Sequence, residues 1–307
     1  MSIVRWLALI AFIPFAARAA GNDLQLWRLG HPDPLLCTAC DGSPGDVSEP
    51  GDPQAQTRFH RLASTLGLAF VPPFQETAGT LGQSGFEVGA SSSEAFPRIS
   101  ADSWATSQPP PKVLSLPTVV VRKGLGGSLE LGAAVSWLMD SQMMALSAEL
   151  RWALIDGVAY APDLALRAYG TRVTGTQELD LALAGADAML SKSFGVAGAI
   201  KLQPYGSFGM AMINAQSGVV NFKPAAQDAA HPSFADGVFR SISLFDNRFL
   251  RGTAGLRLVA GAVVLGVEGS VAAGTNAVQY DNLAGGAPPP TEYVRLWSVS
   301  GRLGVGF

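Results

Sequence analysis

The chain has 307 residues, is 48% hydrophobic and 15% charged, and carries a net charge of −3 with a mean hydropathy of +0.24. That balance is apolar for a soluble enzyme and leaves no broad basic footprint for nucleic acid. Beyond the N-terminus no apolar run reaches the roughly 18 residues of a membrane helix, and 35 glycines weigh against long helices.

Residues 1–19 read as a secretory signal. Arg5 supplies the positive start, Trp6 to Phe15 the apolar stretch, and Ala17-Arg18-Ala19 a small-x-small cleavage site, so the mature chain is expected to begin at Ala20. Residues 20–79 are expected to form a periplasmic arm. Its first part is acidic and rich in Pro, Gly and Asp. Cys37 and Cys40 lie in a CTAC motif without a second Cys pair, and in an oxidising compartment they are expected to close a small disulfide loop. Asp52-Pro53 offers a helix start. Phe59, Leu62 and Leu66 follow at helical spacing, and Pro72-Pro73 ends the run. This short amphipathic helix is expected either at the periplasmic mouth of a barrel or partly inside its lumen.

From about residue 80 to 307 the pattern changes to strand alternation. Ten segments can be drawn, near 84–93, 115–122, 128–139, 143–155, 163–174, 179–191, 197–213, 247–260, 263–274 and 294–307. In 128–139, Leu129, Leu131, Ala133, Val135, Trp137 and Met139 share one face, and Met144, Leu146, Ala148, Leu150, Trp152 and Leu154 repeat the pattern. Most segments are longer than the mode of about 5–6 residues in globular sheets. They match the roughly 9–11 residues of a tilted membrane strand. Connections after even strands are short or moderate, whereas 94–114, 214–246 and 275–293 are long, as in barrels with short periplasmic turns and long outer loops. The expected fold is therefore all-β: a closed antiparallel transmembrane barrel of about ten strands, with eight to twelve allowed by the uncertain boundaries. Strand 115–122 is apolar on both faces and cannot be oriented. In 179–191 the row Leu179, Leu181, Leu183 is expected to face lipid, with a bulge near Gly185 that turns Asp187 away.

Strand parity puts Glu130, Glu149, Arg151, Arg167, Lys201, Arg251, Arg257, Glu268 and Arg302 inside. Two readings of this set stand side by side. In one, a salt-bridge lattice fills a narrow lumen, since ten strands enclose little more than side chains. In the other, a slightly anion-favouring pore passes small solutes. Trp137, Tyr293 and Trp297 at the outer ends, and Trp152 and Phe307 at the inner ends, suit headgroup-level girdles. No GxSxG and no metal-spaced histidine pair occurs. His31, His60 and His231 all lie outside the drawn strands, so no enzymatic role, metal or cofactor is expected.

The chain ends VRLWSVSGRLGVGF, with Trp297, Val299, Leu303, Val305 and Phe307 on one face. This ending resembles the C-terminal assembly signal of bacterial outer-membrane β-barrel proteins, the porin-like and OmpA-like small barrels among them. The resemblance implies outer-membrane lipid and the barrel-assembly machinery as partners. It implies a structural or surface-interaction barrel, or a narrow channel. Residues 80–88, TLGQSGFEV, also resemble the first segment of fatty-acid-transporter barrels, which are longer than this one.

Overall fold

The computed structural model describes residues 21–32, 52, 54–73, 75–196, 198, 200–222, 236–276 and 292–307. The signal segment 1–19, the Cys37/Cys40 loop and His231 lie outside the described residues.

Ten long strands form the wall: β1 (Phe86–Phe96), β2 (Leu114–Gly124), β3 (Leu129–Trp137), β4 (Met144–Ile155), β5 (Asp163–Thr174), β6 (Leu179–Ser191), β7 (Ile200–Ser217), β8 (Asn247–Ala260), β9 (Val263–Asn276) and β10 (Glu292–Gly306). Each pairs antiparallel with its sequence neighbour, and a three-residue strand, Phe194–Val196, adds a small flap on β7. β10 pairs with both β9 and β1, from Glu87↔Gly306 to Phe96↔Trp297, so the sheet closes on itself. Phe307 seals the seam with two bonds to Phe86, at 2.8 and 3.0 Å. Closure leaves no edge whose backbone groups would go unsatisfied in hydrocarbon.

Side-chain exposure follows the alternation. Leu131, Val135, Leu146, Leu150, Trp152, Leu250, Leu265, Val267, Val299 and Leu303 stand exposed on the outer wall, while the residues between them are mostly turned inward. A continuous apolar outer surface on a closed barrel is what a lipid environment stabilises. Short turns join the strands at one end; at Gly261, which bends with φ +60°, the turn between β8 and β9 takes only two residues. The long connections all lie at the other end.

The lumen is occupied. Among the described residues one α-helix, α1 (Ala55–Ala69), occurs, and it lies inside, toward the long-loop end. It begins two residues after the expected start: Gln54 is its N-cap, and the Asp52 carboxylate accepts the Gln54 N–H at 2.8 Å and pairs with Arg58 at 2.5 Å. Phe59, Leu62, Ala63 and Leu66 are fully buried against Leu116, Leu181, Ile213, Phe249 and Leu296 of the wall.

This packing corrects the reading of 179–191. Leu179, Leu181 and Leu183 face the lumen, not lipid, because α1 offers them an apolar partner there. Asp187 shares their face and is buried inside as well. No bulge occurs at Gly185, whose ladder runs unbroken from Tyr169 to Ala211. The glycine is required for a different reason. A Cβ at Gly185 would lie 2.3 Å from the Tyr169 hydroxyl oxygen, so the bare backbone seats that ring. The one register shift of the β4–β5 pair falls between Ala153 and Ile155.

Candidate functional site

The inner wall is ordered along its length. Running from the long-loop end on β2, β4, β9 and β10, inward residues pass from apolar (Leu116, Ala145, Ala272, Leu296) to hydroxyl (Thr118, Ser147, Ser270, Ser298) to charged (Arg122, Arg151, Glu268, Arg302). The hydroxyls pair across neighbouring strands: Thr118 with Ser136 at 2.7 Å, Ser147 with Thr171 at 2.8 Å, and Ser270 with Ser298 at 2.7 Å. Each pair satisfies two polar groups that would otherwise be buried without partners.

Below this level lies an ion-pair lattice. Eight of the nine charges that parity placed inside belong to it: Glu130, Glu149, Arg151, Arg167, Arg251, Arg257, Glu268 and Arg302. Arg167 joins Glu149 at 2.6 Å and Asp187 at 3.3 Å; Arg251 joins Glu268 at 3.4 Å. Arg257 and Arg302 hold the two oxygens of Glu87, at 2.6 and 2.5 Å, and Arg151 pairs with Glu130. Lys201 differs from the expected lattice role. It stands exposed at the short-turn mouth of the lumen, beside Gln203 and Arg257 in a vestibule of about 380 Å³. Sequence reasoning missed Glu76, Glu87, Arg122 and Asp187. Glu87 alternates with Phe86 and Val88 and was legible by parity; Arg122 sits in the strand that was apolar on both faces.

Glu76 is the centre of the lattice, and it does not come from the wall. After α1 the chain descends through the lumen to the foot of β1. Along the way Gln75 N–H donates to Glu268 at 2.5 Å, the Thr77 carbonyl accepts from Arg151 at 2.5 Å, and Ala78 N–H donates to Ser191 Oγ at 2.8 Å. Thr80 reaches Asp156 at 3.0 Å. Glu76 meets arginines of four strands: Arg122, Arg302 at 2.5 Å, Arg151 at 3.8 Å and Arg257 at 4.0 Å. The lattice holds six buried arginines and five wall carboxylates, and Glu76 supplies the sixth anion. Beside this strap, near Pro72, Pro73 and Gln75, the lumen keeps a cavity of only about 20 Å³, roughly one water.

The arm also has a definite place. Asn22 N–H donates to the Asp140 carbonyl at 2.9 Å, Gln25 N–H to Ala105 at 2.7 Å, and Leu26 N–H to the Glu178 carboxylate at 2.5 Å. All three partners belong to long-loop-end connections. The described arm residues therefore lie at the long-loop end of the barrel, opposite the short turns with which a periplasmic arm was expected to sit. Of the described histidines, His31 packs on the Phe222 ring at 4.5 Å. His60 is buried on α1, where desolvation holds its pKa down at about 4 against a smaller upward pull from Asp246.

These features define a class: a closed, ten-stranded, transmembrane β-barrel whose lumen is plugged by its own N-terminal segment. No protein family and no curated protein matches the sequence. Among solved structures, the N-terminal β-barrel domain of Pseudomonas aeruginosa OprF is 13% identical, with 74% of this chain and 99% of that chain covered and a TM-score of 0.31. The Escherichia coli outer membrane protease OmpT is 7% identical over 73% and 95%, TM-score 0.36. The translocator domain of the Neisseria meningitidis autotransporter NalP is 14% identical over 73% and 88%, TM-score 0.30. The likeness is one of barrel architecture and reaches no further.

Proposed function

We propose that this chain is a non-catalytic bacterial outer-membrane barrel that works as a closed structural or surface-interaction protein, presenting its arm and long loops outside. The observation that carries this reading is the strap through the lumen, with Glu76 tied to arginines of four strands. A narrow solute channel would need a continuous aqueous path, and the vestibule beside Lys201 is lined on its inner side by Glu76 and Thr77 of the strap. The outward row Trp297, Val299, Leu303, Val305 and Phe307 is the surface we assign to recognition by the barrel-assembly machinery. Single-channel recording on refolded protein tests the closed barrel. A silent bilayer is expected, and stable conductance steps would overturn it.

A further inference from the structure

The long-loop rim of the outer wall carries two arginines that no carboxylate pairs among the described residues. Arg248 opens the outward row of β8 and Arg295 lies in the outward row of β10; both are exposed. They flank β9, where Thr275 is aligned between Arg248 and Tyr293, and Ala273 between Leu250 and Arg295. Between the arginines β9 presents only the short side chains of Ala273 and Thr275, beside the exposed ring of Tyr293. The Arg295 guanidinium lies 4.6 Å from the centre of the Trp297 ring. Neither arginine forms an ion pair among the described residues. Other rim cations behave differently. Arg172 is neutralised by Asp180 at 2.7 Å. Lys123 and Lys192, at the short-turn rim, each reach three backbone carbonyls. On the adjoining strand β1, the outward carboxylate of Glu94 is engaged by the hydroxyls of Ser92 and Ser115. Directly below the pair, Leu250, Val271 and Val299 continue the same outward rows as aliphatic surface.

A forked cation at the boundary between aliphatic wall and rim sits at the level of lipid phosphates, and guanidinium matches phosphate oxygens bidentately. The hydroxyls of Thr275 and Tyr293 and the face of the Tyr293 ring add partners suited to a sugar. We propose that Arg248 and Arg295, with Thr275 and Tyr293, hold the phosphate of a phosphorylated glycolipid in the leaflet at the long-loop end. This inference rests on the outer-membrane reading above.

Native mass spectrometry of protein refolded in detergent, incubated with bis-phosphorylated lipid A, tests it. Wild-type protein is expected to retain the lipid. The Arg248→Gln/Arg295→Gln double variant should retain it about tenfold less, and Arg172→Gln as well as wild type. A heat-dependent gel shift verifies that each barrel has refolded. Should the double variant not refold, the Arg248→Lys and Arg295→Lys singles, which keep charge but lose the fork, are expected to retain less than wild type. Equal retention by the variants that refold overturns the proposal. So does equal retention of dephosphorylated lipid A, or of phosphatidylglycerol, by wild type. Recovery of the cellular protein outside the outer membrane would refute the outer-membrane reading, while the binding comparison in detergent stands by itself.

Discussion

Glu76→Gln tests the strap most directly. The change keeps the shape of the side chain and removes one charge, leaving Arg122, Arg151, Arg257 and Arg302 with one carboxylate fewer among them. Glu87 and Glu130 still neutralise part of that charge, but the 2.5 Å contact of Arg302 is left with a neutral acceptor and the lattice gains a net positive charge. Removing one partner from a buried ion pair costs about 3–5 kcal/mol, because the orphaned charge stays desolvated. The expected outcome is a loss of that order in urea unfolding of the barrel in detergent micelles, followed by tryptophan fluorescence. Adding Arg302→Met, which returns the lattice to charge balance while Arg257 still pairs with Glu87, should recover part of it. A Glu76→Gln midpoint within about 0.5 kcal/mol of wild type would refute the idea that Glu76 anchors the strap.

Three further outcomes follow from the same structure. Val299→Arg, halfway along the outward row of β10, should cost about 2–4 kcal/mol and lower insertion, whereas Ser300→Ala on the inner face should leave insertion yield nearly unchanged; equal yields would contradict the assignment of faces. His60 has a folded pKa of about 4, below its ordinary 6.5, so its contribution is intact above pH 6.5. Stability should fall as pH drops from there toward 4, by up to about 3 kcal/mol, and a His60→Gln variant with an equally steep acid limb would exclude His60 as the cause. An epitope placed between Ala20 and Gly21 should bind antibody on intact cells; binding only after lysis would reverse the orientation given to the arm.

The wall was legible in the sequence because two-residue alternation specifies strands directly. The expected segment 163–174 and β5 coincide, 247–260 and β8 likewise, and the expected closure of the barrel is met by the pairing of β10 with β1. The lattice was legible by parity wherever the opposite row was apolar. What was not legible was the contents of the lumen. Alternation reports that a face is apolar without reporting what covers it, so Leu179, Leu181 and Leu183, which meet a helix, resemble residues that meet lipid. Phe59, Leu62 and Leu66 likewise mark an amphipathic helix without naming its partner. Glu76 could not be ranked at all. It lies outside any periodic element, and its importance comes from arginines spread over residues 122 to 302. Gly185 misled for a related reason, since a glycine that accommodates a tyrosine of the neighbouring strand looks the same in sequence as one that bends a strand.

The strap also constrains the order of events during biogenesis. The residues that end up inside precede every strand of the wall in the chain, and the strand that shuts the wall follows the other nine. Had β10 joined β1 before α1 and residues 75–85 were in place, the helix would have to be fed in through a mouth lined by finished strands, against the polar level formed by Thr118, Ser136, Ser147 and Thr171. Wrapping avoids that barrier: an open, curled sheet can be laid around a segment already lying along its concave side, its arginines finding Glu76 as each strand arrives. The strand that carries the outward row is then also the latch, with Phe307 bonded to Phe86 across the seam of a filled barrel.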